Sequence, residues 1–288
     1  YDDRNRLTNV VHESTWKASY RYDEAGNPTL ISNPVCGVTL AYDEMARLSS
    51  SLLHVHSHVF AVTNSYDLNG NRTNIVYPGG FMVSYEYDEE NLLERASIKH
   101  TNATYATELE YDGASRLIAA EYPNGVHASF GYDEWSLLTN VAHGSFVERR
   151  IERDARGFKT AEDIYAGLAP VFTNQLRQVR THNAADQTLS SDGTTYSYDA
   201  NGNLTNTSDR AYTWDCNNRL GCTAGATSEV QYLYDASGAR IGRTHESSTN
   251  YYVVDHADSL KRPLAQTDAS GAITRWFVWA GGRLLAHV

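Results

Sequence analysis

An aromatic residue followed by aspartate recurs along this chain at a spacing that restricts the fold more than any other feature. Tyr22-Asp23, Tyr42-Asp43, Tyr66-Asp67, Tyr87-Asp88, Tyr111-Asp112 and Tyr132-Asp133 follow an opening Tyr1-Asp2 at steps of 21, 20, 24, 21, 24 and 21 residues. Another 21 residues lead to a worn copy, Arg153-Asp154-Ala155-Arg156-Gly157-Phe158. Tyr198-Asp199, Trp214-Asp215 and Tyr234-Asp235 continue the series. A fixed period of this size marks a repeat architecture, in which one supersecondary unit stacks on the next.

The unit has a physical logic. Asn-Gly or Asp-x-x-Gly between alternating apolar runs is a β-hairpin signal, because glycine and asparagine tolerate positive φ and aspartate accepts bonds from nearby turn amides. Gly26, Gly70, Gly202 and Gly238 each stand three residues past their aspartate. Before the turns, runs such as Ser84-Tyr85-Glu86-Tyr87 and Glu229-Val230-Gln231-Tyr232-Leu233-Tyr234 alternate as half-buried strands do. Leu7, Leu48, Leu93, Leu117, Leu138, Leu204 and Leu220 each lie six residues past their aromatic, where the returning strand begins. Aromatic and leucine are therefore expected to pair across the hairpin neck. A second turn signature, Tyr77-Pro78-Gly79-Gly80 and Tyr122-Pro123-Asn124-Gly125, gives each unit about two strands.

This Tyr-Asp-x-x-Gly-Asn/Arg-Leu pattern resembles the YD repeat of the Rhs family, shared with toxin-complex C components and teneurins. The resemblance covers essentially the whole chain. It implies an all-β fold, a YD-repeat hairpin array whose antiparallel strands spiral into a curved section of a hollow shell. In the bacterial members such a shell encloses a toxic polypeptide. The stretch from Asp268 to Ala286 resembles the late repeats of these shells. Rhs proteins often cleave themselves at an Asp-Pro-x-Gly motif, and no Asp-Pro occurs in this sequence.

The period argues for one continuous array over residues 1–288: regular units of about 21 residues over 1–165, an irregular stretch over 166–193, and shorter units over 194–288. Twenty tyrosines against seven phenylalanines favour amphipathic sheet over a deep oily core. No run is long and apolar enough for a transmembrane helix. No basic and apolar leader opens the sequence, so a secreted or surface location would need an export signal elsewhere. The net charge of −11, from 35 acids and 24 bases, disfavours nucleic acid or an anionic membrane as partner.

Candidate chemistry is sparse. His54-Val55-His56-Ser57-His58 would place three imidazoles on one strand face, yet same-face neighbours ~6.5 Å apart are too far for one zinc, so solvent- or lumen-facing histidines are expected. Asp67-Leu68-Asn69-Gly70-Asn71 has its glycine in the wrong place for a calcium loop and reads as a turn. Three cysteines make no disulfide framework; free thiols are expected, with a Cys216 to Cys222 bridge as the alternative. No cofactor, nucleophile-elbow or metalloprotease fingerprint occurs, and a repeated aspartate marks no privileged glycosidase pair.

The expected function is structural: a shell segment, without enzyme activity or cofactor, whose partners are the rest of its shell and an enclosed toxin. The alternative is an adhesin or glycan-binding module, with Trp214, Trp276 and Trp279 stacking on sugars. A third reading, a latent hydrolase, needs two converging carboxylates or a histidine-carboxylate pair in a cleft. About 13 two-strand units at ~4.8 Å per strand give a ribbon of roughly 125 Å. A ring around a ~100-residue guest needs roughly 140 Å, so the chain makes about one turn of a cage.

Overall fold

The computed structural model describes residues 1–12, 16–100, 103–166 and 179–287. Part of the irregular stretch of the sequence lies outside them. The described residues are all β apart from a short 3-10 turn at Pro78–Gly80.

The first sheet has fifteen strands in sequence order. They are β1 (Asn9–His12), β2 (Trp16–Tyr22), β3 (Pro28–Ser32), β4 (Cys36–Tyr42), β5 (Leu48–Val55), β6 (His58–Tyr66), β7 (Arg72–Val76) and β8 (Met82–Tyr87). Then come β9 (Leu93–His100), β10 (Ala103–Tyr111), β11 (Leu117–Glu121), β12 (His127–Tyr132), β13 (Leu138–His143), β14 (Val147–Arg153) and β15 (Lys159–Ala166). The second sheet has twelve, again in order. It runs β16 (Arg180–His182), β17 (Thr188–Ser191), β18 (Thr194–Tyr198), β19 (Leu204–Thr207), β20 (Arg210–Trp214) and β21 (Leu220–Gly225). It ends with β22 (Glu229–Tyr234), β23 (Arg240–His245), β24 (Ser248–Val254), β25 (Pro263–Thr267), β26 (Ile273–Ala280) and β27 (Arg283–His287).

Within each sheet every strand pairs antiparallel with the next, because the turns between them are too short for any other connection. The register slips by one residue at each motif aromatic, as between Arg21 and Tyr22, Ala41 and Tyr42, and Thr213 and Trp214. The extra residue is on the returning strand, Thr29, Ser49 and Gly221 in these units, and forms a bulge just beyond the three-residue loop. A bulge bends its strand and increases local twist, so one bulge per unit along one edge bows the ribbon. The shorter repeats give shorter strands: β17 to β20 have 4, 5, 4 and 5 residues, against 7, 8 and 9 for β4 to β6.

The ribbon returns onto itself. β23 to β27 cover one face of β4 to β11, and a shared apolar layer forms between them. Alternate residues supply it: Val38 and Leu40 on β4, Phe60 and Val62 on β6, Val83 and Tyr85 on β8, facing Ile241, Tyr251, Val253, Leu264 and Val278. Composition alone predicts no such core. Tyrosine abundance masks it, because the inward positions of these strands are valine, leucine and isoleucine while the tyrosines cluster at the hairpin necks. By contrast no described residue between 131 and 166 or between 179 and 222 is buried, so β13 to β15 and β16 to β21 are single layers.

Candidate functional site

The chemistry-bearing groups of this chain lie along the repeat turns, and the geometry shows where their bonding capacity goes. In the turn 23–27 the Asp23 amide donates to the Asn27 carbonyl at 3.0 Å, and the Gly26 amide returns to the Asp23 carbonyl at 3.2 Å. In the turn 112–116, Asp112 Oδ1 accepts the amides of Ala114 (2.9 Å) and Arg116 (3.0 Å), and Oδ2 accepts Nε of Arg116 at 2.7 Å. The same carboxylate-to-side-chain bond joins Asp23 to Asn27, Asp43 to Arg47, Asp67 to Asn71, Asp199 to Asn203 and Asp215 to Arg219. Asp88 and Asp133 have leucine at that position and hold amides only.

The last loop residue has positive φ throughout. Gly26, Gly70, Gly202 and Gly238 adopt φ of 97°, 92°, 85° and 92°, as their residue type allows. Ala46, Asn91, Ser115, Ser136 and Asn218 fill the same position elsewhere at φ between 57° and 63°. Glycine is therefore dispensable where the aspartate binds the turn this tightly.

Successive units are tied in both directions. The motif aromatic lies opposite its leucine across the neck at Tyr42 and Leu48, Tyr87 and Leu93, Tyr111 and Leu117, Tyr132 and Leu138, Tyr198 and Leu204, and Trp214 and Leu220. Its polar end reaches further back, to the preceding unit. Tyr66 Oη donates to the Leu48 carbonyl at 2.9 Å, Tyr111 to Leu93 at 3.0 Å, Tyr132 to Leu117 at 2.9 Å and Tyr234 to Leu220 at 3.0 Å. Trp214 does the same through Nε1 to the Leu204 carbonyl at 2.7 Å. Tyr22, Tyr42, Tyr87 and Tyr198 bond to the carbonyls of Leu7, Pro28, Arg72 and Thr188. Burial pushes the phenols of Tyr42, Tyr66, Tyr87, Tyr111 and Tyr234 up, which keeps these hydroxyls protonated as donors.

Arginine ties forward. Arg6, Arg47, Arg116 and Arg219 lie 4.8, 4.8, 4.9 and 4.8 Å over the rings of Tyr22, Tyr66, Tyr132 and Tyr234 in the next unit. Each also donates Nη1 to the carbonyl of the following aspartate: Asp23, Asp67, Asp133 and Asp235. Even the worn copy keeps the plan, for Arg153 stands in the aromatic position and bonds to the Leu138 carbonyl at 3.4 Å.

The turn bonds hold the carboxyls of Asp23, Asp112 and Asp199 below the ordinary value of 3.8, chiefly through the side chain four residues on. For Asp43 the amide of Arg47 is the main cause. A lowered folded value contributes stability above the unfolded pKa and loses it as pH falls through the folded one. Thermal midpoints are therefore expected to hold from about pH 7 to 5 and to fall below about pH 4, with proton uptake on unfolding seen by calorimetry in two buffers. A midpoint unchanged down to pH 3 would show that the turn carboxylates contribute nothing.

The remaining candidates resolve as follows. The three histidines do not share one strand face: Val55 ends β5, His56 sits in the turn at φ 51° and His58 opens β6. The two-residue turn breaks the alternation assumed for a single strand. His54 and His56 are exposed, as expected of solvent-facing histidines, and His58 is half-buried; His56 Nδ1 lies 3.3 Å from Tyr251 Oη and His58 Nε2 lies 3.1 Å from the Ala269 carbonyl, so these two also touch the covering strands. Among the described residues no three His, Cys, Asp or Glu are grouped to hold a metal. All three cysteines are free, and burial pushes the Cys36 thiol up to about 12, away from thiolate chemistry.

Sequence reasoning missed Arg72, Asp235, Asp255 and His256 as a polar group within the layer interface. Arg72 Nη1 meets Asp255 Oδ2 at 2.5 Å, and His256 Nε2 meets Asp235 Oδ2 at 3.1 Å with side chains 4 % and 0 % exposed. The latter is the histidine-carboxylate pair a hydrolase would need. However, the Ser237 hydroxyl donates to the other oxygen of Asp235, so the carboxylate stands between serine and imidazole and the imidazole is not bonded to the hydroxyl. Tyr77 Oη to the Phe277 carbonyl (3.0 Å), Tyr85 Oη to the Trp279 carbonyl (2.7 Å) and Phe81 stacked on Trp276 at 5.0 Å complete the interface.

This geometry has known counterparts. Residues 1–35 match the RHS Repeat family. The tRNA3(Ser)-specific nuclease WapA of Bacillus spizizenii is 34% identical over 233 residues, 77% of this chain and 10% of WapA. The chain belongs to the RHS-repeat family. Solved RHS-type structures share its fold. The TcdB2-TccC3-Cdc42 crystal structure superposes with a TM-score of 0.62 at 12% identity, over 97% of this chain and 21% of that one. A Tc holotoxin pore of Photorhabdus luminescens gives 0.59 at 12% identity, over 95% and 18%. This RHS chain thus spans about a tenth of its curated relative and about a fifth of those structures.

Proposed function

We propose that the chain is a wall segment of an RHS shell that encloses a C-terminal toxin polypeptide and acts outside the cell that makes it. The observation that carries this reading is the ladder itself. The motif's aspartates, tyrosines and arginines are spent on joining one hairpin to the next, which makes a wall and leaves no poised catalytic group. The single layers β13 to β15 and β16 to β21 are thin enough to be sides of a container, and the fold shared with TcdB2-TccC3 supports the same role. Its partners would be the rest of its shell and the enclosed guest; no cofactor is needed. The rival glycan-binding reading is weakened at its three named tryptophans, because Trp214, Trp276 and Trp279 donate Nε1 to the carbonyls of Leu204, Pro78 and Pro263 within the fold.

The test is protease protection in the complete protein that contains this ribbon. The C-terminal polypeptide is expected to survive limited proteolysis while the wall is intact and to be digested when one hairpin, residues 132–153, is deleted. A guest digested equally fast in both would overturn the enclosure. Binding on a glycan array would favour the rival.

A further inference from the structure

A ribbon of near-identical hairpins carries a register problem. When its last strands fold back onto the first sheet, seating one hairpin earlier or later would bury almost the same valines, leucines and isoleucines, since apolar contact is non-directional. Something other than apolar area must select one seating. Two aspartates depart from the repeat plan at the place where that selection is made.

In a regular unit the aspartate completes its bonding inside its own turn, as Asp112 does with Arg116. Asp235 has Ala239 four residues on, which offers only its amide, and its Oδ2 turns to Nε2 of His256 in the next unit. Asp255 heads a lengthened turn in which its amide bonds to the Arg262 carbonyl. There Arg262 pairs with Asp258 at 2.6 Å, and Asp255 Oδ2 is left for Arg72, 183 residues away on β7. These two are also the buried aspartates of the described chain, at 0 % and 3 % exposure. Arg72 is held from its own side by Asn64 Oδ1 at 3.4 Å and lies 5.8 Å from the Tyr85 ring centre.

We propose that Asp255 and Arg72, braced by Asp235 and His256, act as a register key that selects the one seating of β24 to β26 on the first sheet, while the apolar layer supplies the adhesion. A slip of one hairpin, two strands, moves the partners apart by about 10 Å and leaves the buried Asp255 and the half-buried Arg72 without their ion pair. The matched pair adds little net stability over apolar residues of the same shape, but every mismatched seating is penalised. The key thereby excludes alternatives that the repetition itself creates.

The experiment uses the full 288-residue chain. Replacing both partners, Arg72→Met with Asp255→Leu, is expected to leave the thermal midpoint within a few degrees of the parent. Hydrogen-exchange mass spectra of peptides from residues 248–280 should then split into two isotopic envelopes, one per seating, where the parent gives one. Asp255→Leu alone should lower the midpoint more than the double change, because the half-buried Arg72 then loses its partner. The exchanged pair, Arg72→Asp with Asp255→Arg, should restore a single envelope. A single parent-like envelope in the apolar double variant would overturn the proposal, since the apolar layer would then set the register alone. Should the double variant fail to fold, the exchanged pair decides: one envelope supports the key and two overturn it.

Discussion

Replacing Ile75 by alanine is expected to destabilise the protein by about 2–5 kcal/mol, whereas the same change at Ile164 should cost less than about 1 kcal/mol. Both are isoleucines inside strands of the first sheet, Ile75 on the inner strand β7 and Ile164 on the edge strand β15. They differ in what lies over them. Ile75 is fully buried beneath the returning strands, at 0 % exposure, while Ile164 on the single-layer stretch is 59 % exposed. Truncation at Ile75 removes transfer free energy and leaves a cavity between two packed layers; at Ile164 it leaves only a smaller exposed side chain. Chemical denaturation of the two variants checks this directly. Equal losses would mean that the layer interface does not exist in solution or that the open stretch is covered.

Gly271→Ala is the second large effect. Gly271 closes the turn between β25 and β26 at φ 84°, and an added Cβ would stand 2.6 Å from His58 Nδ1. The imidazole has little room to yield, since it bonds to the Ala269 carbonyl and packs against Phe60 and Tyr251 at 6.0 and 5.3 Å. Backbone strain of about 1 kcal/mol and an overpacking cost of about 1–3 kcal/mol are expected to add. Gly26→Ala has the same φ problem with open space around it and should show the first cost alone. Combining Gly271→Ala with His58→Ala should recover the overpacking part relative to His58→Ala by itself. If Gly26→Ala and Gly271→Ala lose equally, the contact between the turn and the histidine is not formed.

The contrast between these positions shows what the sequence could and could not say. The hairpin turns were legible, because an aspartate with glycine or asparagine a few residues on leaves the backbone few other options. The placing of Leu48 opposite Tyr42 was legible too, from a constant offset of six residues. The backward reach of Tyr66 to the Leu48 carbonyl was not, since a tyrosine declares its ring in the pattern and never its hydroxyl partner. Nor was the positive φ at Ala46 and Ser136, where the motif places a turn but the residue type does not announce its backbone. The layer interface was hidden for a different reason. It joins positions nearly 200 residues apart, and periodicity reports only what a residue does relative to its near neighbours. The one available signal was irregularity: the extended turn after Asp255 and the alanine at 239, where the pattern breaks because the contact is no longer local.

The distance between those layers along the chain has a consequence for how the protein is made. Each hairpin finds its partners within about two dozen residues and can form as soon as it leaves the ribosome, but the strands that cover β4 to β11 are synthesised only after residue 239. At ~5–20 residues per second the apolar side of the early hairpins stays bare for roughly ten seconds or more. During that interval the nascent ribbon is a natural client for a chaperone, and crowding several such chains on one message would favour their sticking to each other before any of them closes.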